Sequence, residues 1–145
     1  KVGWFENNRY PAPASDVGVT RGAPVAYVAT IQEYGYPPGN IPPRPFMRPT
    51  AIKKRNEWIR VAESGSRAVL RGTQTVATVM EGLGLKAAGD IRKTISNLWT
   101  PALSPVTIYA RLHRKSDKKT IGALDKPLID TGIMMNTLTN TVEDG

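Results

Sequence analysis

Residues 34–49 hold six of the chain's twelve prolines: Pro37, Pro38, Pro42, Pro43, Pro45 and Pro49. Proline fixes φ, lacks a backbone N–H and drives the residue before it out of the helical region. Pro42, Pro43 and Pro45 therefore hold this segment extended and stiff, which excludes a helix interior or a central strand. A stiff arm loses little entropy when it docks. Apolar Phe46 and Met47, flanked by Arg44 and Arg48, are read as a contact for a neighbouring subunit or partner. The competing reading is a rigid connector between two elements.

The 145 residues are enough for one domain with a sizeable core, expected to span 1–145 with extended loops at 7–22, 35–49 and 112–127. Hydrophobic residues make up 40 % of the chain, which is low for a globular protein, so part of it is expected outside the core. The absence of cysteine excludes a disulfide framework and a thiolate metal site. No apolar run is long enough to span a bilayer, and no secretory h-region opens the chain. The chain begins at Lys1 and not at methionine, as a trimmed or partial chain does. A net charge of +8 is compatible with nucleic acid, acidic protein partners or an anionic membrane.

Along the chain, Val2 and Trp4 alternate as in a short strand. Residues 7–22 are turn-rich. Pro24 stands where a helix can start, Val25, Val28, Ala29 and Gln32 are helically spaced, and Gly35 is a natural stop, so a helix is expected over 24–34. Strand competes there, because Val25, Tyr27, Val28 and Ile31 have β propensity. Thr50 can cap a second helix. Apolar residues then recur at helical spacing, from Ile52, Trp58 and Ile59 through Val69, Leu70, Val76, Met80 and Leu83 to Ile91, Ile95 and Leu98. The pattern predicts helix over 50–97, broken or kinked once or twice near Ser64–Ser66 or the glycines at 82, 84 and 89, with its apolar residues in the core. Residues 107–111 are a short turn or strand. The alternation over 133–142 predicts a strand. The sum is an α+β fold: a small antiparallel sheet with long helices packed on one face, and an extended Pro-rich arm.

Catalytic constellations are missing. His113, the sole histidine, stands in a charged stretch with no partner of recognisable spacing. Asp130-Thr-Gly matches the aspartic-protease triplet by letters, but that chemistry needs two carboxylates sharing a proton. Asp130 and Gly132 are read instead as a structural turn, with the Asp130 side chain accepting from backbone N–H groups. No zinc, calcium or nucleotide signature is present, so no cofactor is expected and the chain is read as a non-enzyme. Arg114, Lys115, Lys118 and Lys119 stand against one acid, Asp117, with no apolar residue among them. They are expected to project as a basic loop toward DNA or an acidic partner. Trp58 among Lys53–Arg60, and Tyr109 near Arg111, are the aromatics that nucleic-acid stacking would use; Trp58 suits a core or a subunit contact better.

Four pieces form one ordered set: Ile31-Gln-Glu-Tyr-Gly, Ile41-Pro-Pro-Arg-Pro-Phe-Met-Arg-Pro, Ser104-Pro-Val-Thr-Ile and Lys126-Pro-Leu-Ile-Asp-Thr-Gly-Ile-Met. The set, over residues 23–142, resembles the neck or tail-completion proteins of long-tailed bacteriophages, of the lambda minor tail protein Z type. The resemblance implies a structural virion protein at the head–tail junction, assembled in the host cytoplasm. It implies partners: further copies in a ring, commonly six-fold, other neck and tail proteins, and non-specific contact with DNA in the lumen, with no membrane. A stand-alone basic nucleic-acid-binding module is the alternative, and it predicts salt-sensitive DNA binding by monomers or dimers.

Overall fold

Two long helices dominate the structure, and a turn between them makes the hairpin. α2 (Met47–Leu70) ends at Arg71 and α3 (Val76–Asn97) begins after Thr75. Gly72 adopts φ +72°, a left-handed conformation that costs glycine little. Its N–H donates to the Val69 carbonyl (2.9 Å) and the Thr73 N–H to the Ala68 carbonyl (3.0 Å), closing α2 in a Schellman motif. Thr75 Oγ1 then accepts from the Thr78 N–H (3.2 Å) and caps α3. The long expected helix is therefore broken once, at 71–75. α2 runs uninterrupted through Ser64–Ser66, and α3 runs through the glycines at 82, 84 and 89.

The computed structural model describes residues 1–5, 7–10, 22–113 and 123–143. The order is β1 (Val2–Gly3), α1 (Val25–Tyr34), a 3-10 turn (Pro37–Gly39), α2, α3, α4 (Pro105–Leu112), α5 (Ile133–Asn136) and β2 (Thr139–Asn140). The architecture is α+β with long helices, as the sequence predicts. β1 and β2 pair antiparallel, Val2 with Asn140 and Gly3 with Thr139, which ties the two ends of the described chain together. α3 lies against this ribbon, and α2 packs on α3.

Helix replaces the expected turn or strand at 107–111: Ser104 caps α4 by accepting from the Thr107 N–H (3.2 Å), and Pro105 fills its first turn. Strand is also shorter than expected at the C-terminal end. Gly132, at φ +74°, starts the single turn of α5, and only Thr139–Asn140 pair with β1.

The core gathers Val25 and Ala29 of α1, Phe46, Ala88, Ile91 and Ile95 of α3, Met134, and Leu138. Trp4 meets Phe46 edge to face at 5.9 Å and donates its indole N–H to the Met134 carbonyl (2.7 Å). Thr50 is buried but caps nothing: its hydroxyl donates to the Phe46 carbonyl (2.6 Å) and lies 2.6 Å from the Thr94 hydroxyl of α3. Farther along the hairpin the contacts turn polar. Trp58 Nε1 donates to Asp90 (2.8 Å), and Lys86 bridges Asp90 (3.3 Å) and Glu57 (3.2 Å).

The close crossing of α2 and α3 is at Gly65, where an added Cβ would fall inside the Val79 side chain. Gly82 and Gly89 face open space. Gly65→Ala is expected to destabilise the protein by about 1–2 kcal/mol net, overpacking exceeding the helix gain of about 1 kcal/mol. Gly82→Ala and Gly89→Ala are expected to stabilise by about 0.5–1 kcal/mol each. Urea unfolding of the three variants checks both signs.

Candidate assembly surface

The Pro-rich segment is a latch inside its own chain. Glu33, in the last turn of α1, is buried. Its Oε2 accepts from the backbone N–H of Phe46 (2.7 Å) and Met47 (2.9 Å), and its Oε1 from the N–H of Arg48 (3.1 Å). These are first-turn donors of α2, which have no partner within the helix. Arg48 Nε closes on the same carboxylate at 3.0 Å, and its guanidinium lies 4.4 Å from the centre of the Tyr34 ring. Burial opposes the charge on Glu33, but the backbone bonds from Met47, Phe46 and Arg48 and the Arg48 side chain outweigh it, so the carboxyl is held below its ordinary range.

This placement corrects the expected subunit contact at Phe46 and Arg44, while Met47 is half-buried and Arg48 exposed. Phe46 has 0 % and Arg44 5 % of its surface exposed, so neither can meet a neighbouring subunit. Arg44 donates to the carbonyls of Pro101 (2.8 Å) and Ala102 (2.9 Å) and reaches Gln32 Oε1 (3.3 Å). Burial, with the charge of Arg111 nearby, lowers its pKa. Met47 packs against the core, and Arg48 is engaged by Glu33 and Tyr34. The physical reason is that φ-locked prolines need no helix or ladder donors, so the segment can lie against α1 while Glu33 satisfies the donors that follow. Gly35, which ends α1, permits that return: an added Cβ there would stand 3.0 Å from Ile41 O and Pro43.

The expected structural turn is more than a turn. Arg111 Nε lies 3.8 Å from Asp130 Oδ1, while Arg111 Nη1 donates to the carbonyls of Leu124 (3.0 Å), Lys126 (2.8 Å) and Ile129 (3.2 Å). Asp130 thus orients the guanidinium that holds 124–129 on α4. Burial, with the Asp130 charge adding to it, pushes the Tyr10 hydroxyl up to about 12. Lys126 is also buried, its ammonium 3.6 Å from the centre of the Trp99 ring. The basic residues Arg114, Lys115, Lys118 and Lys119 lie outside the described residues. His113, just before them, stacks on Tyr109 at 3.9 Å. No group of histidine, aspartate and glutamate among the described residues could hold a metal, and no described helix is long and apolar enough to cross a membrane.

What the sequence pattern missed is the exposure of the hairpin. The apolar residues of 50–97 are expected in the core, yet none of the residues 51–86 is buried. Ile52 is 80 % and Leu70 86 % exposed, and Ile59, Val76, Met80 and Leu85 are also open to solvent. Ile52, Ile59 and Leu70 fall on one line along α2, since seven and eighteen residues are nearly whole numbers of helical turns. A depression lined by Ile59, Ala62, Glu63, Ser66 and Arg67 opens on that line. α4 adds exposed Val106, Tyr109 and Leu112. Comparison with protein-family models, curated proteins and solved structures finds no match for this chain.

Two substitutions test the latch. Phe46→Ala is expected to cost about 3–5 kcal/mol, as for a buried aromatic, and not to leave an intact subunit. Glu33→Gln is expected to cost about 1–3 kcal/mol near neutral pH. Because the folded Glu33 pKa lies below its ordinary value of 4.5, its stabilisation is present above that value and is lost as pH falls through the folded pKa. Thermal melts at stepped pH should show an acid-side loss in the parent chain that is smaller in Glu33→Gln.

Proposed function

We propose that this chain is a structural virion protein of the phage head–tail junction, a subunit of a ring around the DNA channel. The supporting observation is the hairpin: residues 51–86, two helices and the turn at 71–75, bury no residue and present large apolar side chains to solvent. Exposed apolar surface of this extent marks an interaction site. A chain whose longest helices are finished by neighbours suits an assembly component. A closed ring follows from heterologous contacts repeated by rotation.

The resemblance to neck and tail-completion proteins supports the same reading through where its pieces lie. Ile31–Gly35 and Ile41–Pro49 meet in the Glu33 latch, and Arg44 joins them to the loop just before Ser104. Arg111 joins α4 to the 126–130 turn. The residues that carry the resemblance therefore include ones that set the fold of this chain.

Sedimentation velocity and negative-stain microscopy of the purified chain test the proposal. The expected result is a closed ring. Monomers at every concentration, together with salt-sensitive binding to duplex DNA, would favour the nucleic-acid module instead. Replacing Arg114, Lys115, Lys118 and Lys119 together with Ser is expected to leave the ring intact and to weaken head–tail joining, most at low salt, because added salt screens the parent's charges and narrows the difference. A phage titre unchanged over that salt range would remove the basic segment from the mechanism.

A further inference from the structure

We infer that the outer face of α2 is a docking site for an acidic amphipathic helix of a different protein. The inference rests on the reading of the hairpin as an assembly arm and names the chemistry of one partner. Two parallel rows run along this face. The first is the apolar line of Ile52, Ile59 and Leu70, with Ser66 in the same row as Ile52 and Ile59. The second, beside it, holds Lys53, Arg60, Arg67 and Arg71, all exposed. Residues 52, 59 and 66, and residues 53, 60 and 67, repeat every seven positions. That is the repeat with which one helix lies along another, and the charges flanking such a seam choose the partner.

Charge fixes the occupant. Among the described residues, Lys53, Arg60 and Arg71 have no carboxylate within ion-pair distance, while Arg67 is paired with Glu63 at 3.6 Å within α2. A covering surface must bring carboxylates to these cations or bury them unpaired, which is costly. The described residues of a second copy of this chain do not supply them as a row. Its exposed described carboxylates are Glu63, Glu81, Asp125 and Glu143, on separate elements, with Glu63 and Glu143 already paired. Duplex DNA would satisfy the cations but leave Ile52, Ile59 and Leu70 against phosphate or water. A lipid surface would meet Asn56 and Glu63 within the apolar line, with three aliphatic side chains spread along a helix about 36 Å long. An acidic helix with its own apolar stripe satisfies both rows at once, and the depression at Ile59 gives one of its side chains a seat.

The test uses two synthetic helical peptides with the same leucine stripe, one flanked by glutamates and one by lysines. Fluorescence anisotropy measures their binding to the full chain at low and physiological salt. The glutamate peptide is expected to bind at least about tenfold more tightly, a gap that narrows as salt rises. Replacing Lys53, Arg60 and Arg71 together with Ser should abolish the gap. Ile59→Ser with Leu70→Ser should weaken both peptides while circular dichroism shows an unchanged helix signal, because both side chains are exposed. Equal binding of the two peptides, or binding that ignores the Ile59 and Leu70 changes, would overturn the inference. So would a short DNA duplex that displaces the glutamate peptide and binds the Ile59→Ser, Leu70→Ser chain undiminished, since the face would then belong to DNA. Ring formation is read separately by sedimentation, so a chain that binds the glutamate peptide but forms no ring overturns the ring alone.

Discussion

The Glu33 carboxylate is the joint on which the rest of the fold depends. It stands at the C-terminal end of α1, where a negative charge opposes that helix's own dipole, and at the N-terminal end of α2, where it complements the next one. Charge-assisted hydrogen bonds are about twice as strong as neutral ones, and all three N–H donors at this helix start (the fourth position is Pro49, which has none) are taken by a single side chain. The exchange is therefore favourable although the group is buried. Its geometric result matters as much. With α1 tied to the start of α2, Phe46 must point into the space between them, and the prolines before it must run back along α1. Arg44 then reaches the loop after α3. One carboxylate thus sets the relative placement of α1, α2 and the connection to α4.

Beyond that joint, the molecule divides by what holds it together. The half of the hairpin near Thr50 and Ile91 is secured by apolar burial. Toward its middle the hairpin is held across the helices by the partly exposed Lys86–Glu57 pair and the Trp58–Asp90 bond, and beyond that by a narrow seam at Gly65 and Val79. Exposed pairs contribute about 0–1 kcal/mol each, and helices without tertiary packing are marginal at this length. The turn at 71–75 therefore sits at the low-stability end of the structure, where local opening costs least. On the assembly proposed above, a neighbour that covers this arm would supply the burial that the described chain omits.

Much of the fold was legible in the sequence for local reasons. Helical spacing and Gly35 mark α1, and the long period over 50–97 marks the hairpin, because both signals are written within a few residues. The break at 71–75 is written just as locally, since Gly72 closes α2 and Thr75 caps α3, yet the pattern points instead to Ser64–Ser66 or the glycines of α3. The latch was not local. Glu33 and the donors it serves are separated by a proline segment, and nothing in that segment says which way it folds back. The usable signal was the misfit of an acid in the last turn of a helix, which calls for a positive partner from elsewhere. The candidate surface was hidden for the opposite reason. Helical periodicity reports an apolar face but not whether the chain has anything left to cover it, so Ile52 and Leu70 look like Ile91 and Ile95 in the sequence.

The same separation governs the charge. A net charge of +8 treats every cation alike. Among the described residues, three arginines each serve two or more backbone carbonyls: Arg44 those of Pro101 and Ala102, Arg92 those of Met135 and Leu138, and Arg111 those of Leu124, Lys126 and Ile129. A guanidinium suits this task because it carries five donors in a rigid plane and keeps its charge when buried, whereas lysine offers a single ammonium that burial readily neutralises. These three pin irregular segments that have few ladder partners of their own. Among the described residues, exposed Lys53, Arg60, Arg67 and Arg71 form a row on the outer face of α2 beside its apolar line. The excess of basic residues thus serves two physical ends. One is internal, where arginine replaces missing secondary structure, and the other is external, where a row of positive charge selects what may lie along α2.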